Sequence, residues 1–203
     1  MNSDEKRRSQ PGADKSGGAE REGLSETAIR TQLHALREDH RLGDIVRTRL
    51  STELLNVLNG MREAVHALRK RRPDLAAELR GRGAVYEALY ARPFDKLCEV
   101  RTRLLERFTA AYGDMETLAQ SGRNPNEIAR TALFGTHDDL MEVLRLMIDG
   151  MAELREYRSE LGADLVKGGD IHDMLYAEPM QRISTIRDSM PLLINAVFGR
   201  KVI

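Results

Sequence analysis

Tryptophan is absent from this chain, cysteine occurs once, aromatic residues make up only 4 %, and the 32 basic side chains are balanced by 32 acidic ones. Each shortage excludes something. With Cys98 alone no intramolecular disulfide can form and no multi-thiolate metal site can be built, which points to a reducing, cytoplasmic setting. A net charge of zero leaves no global field to draw the molecule toward a polyanion or an anionic membrane, so any such contact must be local. No stretch approaches eighteen uninterrupted apolar residues, so no transmembrane helix is expected. The start, with Asp4, Glu5, Lys6, Arg7 and Arg8 and no apolar run behind them, is not a secretory signal.

What is present is a helix-forming palette. Hydrophobic residues reach 41 % and charged residues 32 %, and with few aromatics the core must be built from Leu, Met, Ile, Val and Ala, which suits helix-on-helix packing. A chain of 203 residues is long enough to bury such a core without staples. Residues 1–23, rich in charge, Gly, Ser and Pro, cannot offset the entropy of ordering and are expected to form a disordered tail. Residues 24–203 are expected to form a single α-helical domain, with subdivision near 81–92 or 121–125 as the alternative.

Apolar spacing of three and four predicts the helices. Ser25 caps a first helix ending near Gly43, and Asp44 caps a second whose face runs through Ile45, Leu50, Leu54, Leu58, Met61, Val65 and Leu68, widened by Leu55 and Val57, and stops before Pro73. Short segments follow around Leu75 to Leu79 and Val85 to Tyr90. Pro93 opens a long helix through Leu97, Val100, Leu104 and Phe108 toward Gln120. Asn124, Pro125 and Glu127 form a helix start of the capping-box type, ending at Gly135, after which Thr136 caps a helix through Leu140, Leu144, Met147, Met151 and Leu161. Pro179 opens the last helix, through Ile183, Ile186 and Met190, with a kink at Pro191 and an end at Gly199. The fold class predicted is all-α, a helical bundle of five or more helices with a disordered N-terminal tail. No strand-like alternation and no solenoid-type repeat is evident.

Enzyme fingerprints are missing: no phosphate-cradling loop, dinucleotide motif, zinc-protease helix or nucleophile elbow occurs. His137, Asp138, Asp139 and Glu142, with Asp170, His172 and Asp173, would suit a divalent metal if two helix starts converged. Acidic residues also belong at caps and first turns, which accounts for them without ligation, so no metal and no cofactor is expected. The concentrated cationic stretch is Arg69, Lys70, Arg71 and Arg72, followed by Arg80 and Arg82. Such a cluster can neutralise adjacent phosphates, although basic residues also favour helix C-termini. It is the candidate nucleic-acid-binding site.

Residues Asn124 to Arg130, reading Asn-Pro-Asn-Glu-Ile-Ala-Arg, resemble a short string in the relaxosome accessory proteins of mobilisable plasmids. The resemblance spans seven residues, the ribbon strand such proteins place upstream is not visible, and helix capping explains the same residues. It implies at most a nucleic-acid-associated role in a mobile element. The methionines Met141, Met147, Met151, Met174, Met180 and Met190 suit an adaptable packing surface. The sequence therefore predicts a non-catalytic, protein-binding helical scaffold or adaptor, chaperone-like or regulatory, that self-associates as a dimer. Nucleic-acid association through residues 69–82 is the alternative.

Overall fold

The computed structural model describes residues 26–112 and 124–195. The predicted tail, the Ser25 cap, the run toward Gln120 and the Gly199 terminator lie outside these. Among the described residues every regular element is helical. Four long helices carry the fold: α1 (Glu26–Arg71), α2 (Arg92–Tyr112), α3 (Pro125–Tyr157) and α4 (Glu178–Leu193).

Four helices replace the predicted five or more because two glycines read as terminators sit inside helices. A Cβ on Gly43 would lie 2.4 Å from Cε2 of Tyr112. The glycine is thus a notch in α1 that admits the tyrosine ring. A Cβ on Gly135 would lie 3.0 Å from Nη1 of Arg107, the same nitrogen that reaches Asp139 at 3.0 Å. An interior glycine costs a helix about 1 kcal/mol, which long flanking stretches absorb when tertiary packing uses the gap. At the start of α3, by contrast, local chemistry prevails: the Asn124 side chain accepts a hydrogen bond from the Asn126 backbone N–H at 3.0 Å, with Pro125 in the first turn. Pro191 lies inside α4, which continues to Leu193.

Each of α1 and α3 packs against both α2 and α4. The bundle core is formed by Leu50, Leu54, Val57, Leu97, Leu104, Phe108, Leu133, Leu140, Met147, Ile183 and Met190, all buried. A second cluster, at the end where α1 turns into α2 and α3 into α4, contains Leu68, Leu75, Leu79, Leu89, Leu154, Leu161, Leu165 and Leu175. Tyr90 and Tyr176 pack against both clusters.

The composition of that second cluster exposes an internal duplication. Shifting the chain by 86 residues lays Leu68 on Leu154, and without a gap matches Arg69 to Arg155, Arg72 to Arg158, Leu75 to Leu161, Leu79 to Leu165, Gly83 to Gly169, Leu89 to Leu175, Tyr90 to Tyr176 and Pro93 to Pro179. The structure repeats bond for bond. In the first hook, the segment joining α1 to α2, Arg72 N–H donates to Leu68 C=O at 2.8 Å and Tyr86 N–H to Glu78 C=O at 2.9 Å. In the second hook, joining α3 to α4, Arg158 N–H donates to Leu154 C=O and His172 N–H to Asp164 C=O, both at 2.9 Å. Both hooks begin with a single 3-10 turn, Pro73–Leu75 and Ser159–Leu161, and end in a π-helical turn, Glu87–Ala91 and His172–Ala177. The fold is therefore two helix–hook–helix units, and the buried positions of α1 and α2 recur in α3 and α4: Leu54 and Leu140, Leu58 and Leu144, Leu97 and Ile183, Leu104 and Met190.

One position in the hooks is mismatched. Gly168 has φ +91°, and its counterpart Arg82 has φ +74°, a left-handed conformation that costs a side-chain-bearing residue about 1 kcal/mol. Replacing Arg82 by the glycine of the second unit, Arg82→Gly, is expected to raise the unfolding free energy by about 0.5–1 kcal/mol. Urea denaturation measures it, and a loss of stability would show that the arginine side chain contributes more than its backbone costs.

Candidate functional site

The predicted cationic site lies at the first hook, and the fold puts half of it to structural use. Arg69 donates from Nε to the Leu79 carbonyl at 2.7 Å, as Arg155 does from Nη2 to the Leu165 carbonyl at 2.8 Å. Each arginine thereby ties the end of its helix to the middle of its own hook. Arg72 pairs with Asp74 of its own hook at 2.7 Å and with Asp164 of the other. Reciprocally, Arg158 pairs with Glu160 and, through both terminal nitrogens, with Glu78 at 2.7 and 2.8 Å. Because Arg72 corresponds to Arg158 and Glu78 to Asp164, this is the i-to-j and j-to-i exchange of a two-fold interface, here within one chain. The Arg158 guanidinium holds the Glu78 carboxyl below the usual carboxylate range, against a smaller opposing effect of burial. Arg71 reaches Asp170 at 3.1 Å. Lys70, Arg80 and Arg82 are exposed on the same end of the molecule.

The duplication also shows where the two halves differ. Between α2 and α3 an ion ladder crosses the seam: Lys96 to Glu142 at 2.8 Å, Arg103 to Asp139 at 3.4 Å, Arg107 to Asp139 at 3.0 Å and Arg92 to Glu153 at 3.3 Å. The two-fold counterpart is the seam between α4 and α1. There Glu142 is matched by Asn56, Arg103 by Ser189, Arg107 by Leu193, Glu153 by Ala67 and Arg92 by Glu178, so every one of the four pairs loses at least one partner. The charged residues that remain pair along their own helices, Arg182 with Glu178 at 2.7 Å and Arg49 with Glu53 at 3.0 Å. A groove of about 510 Å³ lies between α1 and α4, lined by Arg49, Glu53, Asn56, Arg182, Thr185 and Ser189, with Val57 and Ile186 on its floor, and a cleft of about 660 Å³ lies on the α2/α3 side beside Arg107, Ile128 and Thr131. The two helices run antiparallel, Gly60 facing Arg182 and Arg49 facing Ser189 across the groove. One further turn along, Ile45 is 55 % exposed on α1 and Leu192 is 71 % exposed on α4, with Leu42 beyond. Thr131 and Glu106 occupy the positions of Ile45 and Leu192 in the other unit.

The remaining sequence candidates take structural places. His137 lies within α3, not at a helix start, and is separated from Leu154, at the hook end of that helix, by on the order of 25 Å at 1.5 Å per residue. Asp139 is engaged by Arg103 and Arg107, while Asp173 accepts from the Gly168 N–H and pairs with His172. Among the described residues no group of three or more His, Cys, Asp or Glu side chains is arranged to hold a metal. Cys98 packs against the bundle core, and burial, helped by Asp95, pushes its thiol above the ordinary range. Met147, Met151 and Met190 are buried, and Met141, Met174 and Met180 pack on the two clusters. No helix among the described residues is long and apolar enough to cross a membrane.

The groove was not legible in the sequence read as a linear string, since its walls are more than 120 residues apart. Superposing the chain on itself at the 86-residue offset would have shown the lost ladder partners. No family model, no curated protein and no solved structure matches this chain.

Proposed function

We propose that this protein is a non-catalytic helical scaffold of the adaptor type, and that it binds protein through the α1/α4 face, where the occupant is a second copy of the chain. The observation that carries this reading is the broken internal symmetry. Both seams open into clefts, of about 660 Å³ beside Arg107, Ile128 and Thr131 and of about 510 Å³ between α1 and α4, but only the α2/α3 seam is crossed by ion pairs among the described residues, while the α1/α4 groove leads to Leu42, Ile45 and Leu192, exposed where the duplicate has an exposed threonine and glutamate at two of the three positions. Apolar side chains held in water on a rigid helical face gain free energy when covered, at about 25 cal/mol per Å².

The charges on the rim select the occupant. Arg49 and Arg182 share the groove with Glu53 and Glu178. A surface carrying both signs can meet its own copy, turned by a two-fold rotation, with opposite charges facing, whereas a surface of one sign would repel itself. Self-association in this mode places two bundles side by side and leaves both hook ends open to other partners.

Analytical ultracentrifugation of the full chain across a concentration series is expected to show a monomer–dimer equilibrium. The double substitution Ile45→Glu with Leu192→Glu is expected to move it to monomer with an unchanged melting temperature, because both side chains are exposed in the monomer. A wild-type chain that stays monomeric up to about 100 µM, well above the micromolar range of specific weak association, would overturn the proposal and leave the face to a different protein. A dimer indifferent to both substitutions would overturn it as well.

A further inference from the structure

A second asymmetry between the units lies on the opposite side of α1. There a cleft of about 340 Å³ opens between the last turns of α1 and the first hook, lined by Arg62, Glu63, His66, Arg69, Tyr86 and Tyr90, with Val65 at its base. The internal duplicate separates what the fold needs from what it does not. Arg69 and Tyr90 recur as Arg155 and Tyr176, the first bonded to a hook carbonyl in both units and the second joining the two hydrophobic clusters. Glu63 recurs as Asp149. Arg62, His66, Tyr86 and Phe94 do not recur: their counterparts are Ile148, Ala152, His172 and Met180. Only the first unit combines Arg62, His66 and the Tyr86 ring around this cleft, with Phe94 stacked behind Tyr90.

These additions are organised. The π-helical turn Glu87–Ala91 widens one turn of the chain, and residues four apart then stand in a column. Tyr86 and Tyr90 have ring centroids 4.9 Å apart, and Tyr90 and Phe94 stack at 5.0 Å with planes 27° apart. The Arg62 guanidinium lies 5.8 Å from the centre of the Phe94 ring and the Arg69 guanidinium 5.6 Å from that of Tyr86. Arg62 and His66 are exposed. Lys70 and Arg80 adjoin the cleft in sequence, next to Arg69 and to the Leu79 carbonyl it holds, and are also exposed. Flat π-faces and guanidinium planes beside N–H donors favour a ligand that is both planar and anionic.

We propose that this cleft binds a nucleoside phosphate, with the phosphate on Arg62 and His66 and the base against the guanidinium plane of Arg62 and the ring of Tyr86. The volume suits about one nucleotide, at the lower end of the range for small-molecule sites. The nucleotide comes either free or as one residue of a single strand, and both present the same phosphate and base. This site is independent of the α1/α4 groove.

The test uses the full-length chain with three probes: AMP, inorganic phosphate and a ten-nucleotide oligo(dA), each followed by equilibrium dialysis or anisotropy at 150 mM salt. AMP or oligo(dA) is expected to bind at least tenfold more tightly than inorganic phosphate, because base stacking adds to the phosphate contact. The variant Arg62→Ile with His66→Ala carries the residues of the second unit at those two positions and is expected to keep the wild-type melting temperature while losing at least tenfold in affinity. Arg130→Ala, on the far end of α3, serves as the control and should change nothing. Comparable affinity for AMP and oligo(dA) identifies the free nucleotide as the source. A preference for oligo(dA) of a hundredfold or more, abolished in the double variant, identifies the single strand. Failure of both AMP and oligo(dA) to bind at millimolar concentration, or binding that the double variant leaves intact, overturns the proposal.

Discussion

Gly83→Val is expected to be the most damaging single substitution in the hooks, lowering the unfolding free energy by on the order of 3–5 kcal/mol or preventing folding altogether. A Cβ at this position would sit 2.4 Å from the Glu78 carbonyl oxygen and 2.5 Å from that of Ala77. Both obstacles are backbone, so no side-chain rotation relieves them. The Glu78 carbonyl cannot withdraw, since it accepts the Tyr86 N–H at 2.9 Å, and a buried backbone group left unpaired costs about 1–3 kcal/mol in its own right. Gly169 stands in the same cage, 2.5 Å and 2.6 Å from the carbonyl oxygens of Ala163 and Asp164, so Gly169→Val should behave alike. Thermal and urea melts monitored by circular dichroism measure both. A variant that melts within 2 °C of the wild type would mean that the hook can open at little cost and that its repeated hydrogen bonds do not hold the fold.

Leu104→Ala is expected to lower the unfolding free energy by about 2–5 kcal/mol, and Leu144→Ala by a similar amount. Leu104 is fully buried and Leu144 is 4 % exposed, both inside the bundle cluster. Removing either side chain subtracts its transfer free energy and leaves a cavity that four packed helices can only partly close. Leu104 belongs to a cluster to which all four helices contribute, so its loss is felt in the shared bundle core. Changes near zero in denaturant melts would show that these positions are exposed in solution and that the helices are paired differently.

Periodicity located the buried faces because a helix reports its core side locally, through spacing of three and four. Leu50, Leu54, Met61, Leu68, Leu97, Leu104, Leu140, Met147, Ile183 and Met190 were all legible in this way and all are buried, whereas Ile45 and Leu55, read on the same face as Leu50, are exposed because no helix among the described residues packs over them. The Asn124 cap was legible for the same reason, being a bond between neighbours. Gly43 and Gly135 misled because glycine has the same sequence meaning whether it ends a helix or admits a neighbouring side chain. Only the position of Tyr112 or Arg107 distinguishes the two. The cationic stretch from Arg69 to Arg82 was legible as charge but not as structure, since the partners of Arg69, Arg71 and Arg72 include a backbone carbonyl and carboxylates about ninety residues away.

Composition and local spacing therefore determined the helical class, the apolar stripes and the α3 cap, all of which depend on interactions within a few residues along the chain. The two-fold exchange of Arg72 and Arg158 between hooks, the ladder that crosses one seam, the groove without such pairs in the other, and the column of rings beside Arg62 were decided by tertiary structure. Each depends on which side chains from distant segments come within about 3–6 Å of one another, a distance that ion pairs and ring contacts sense and that sequence separation does not encode.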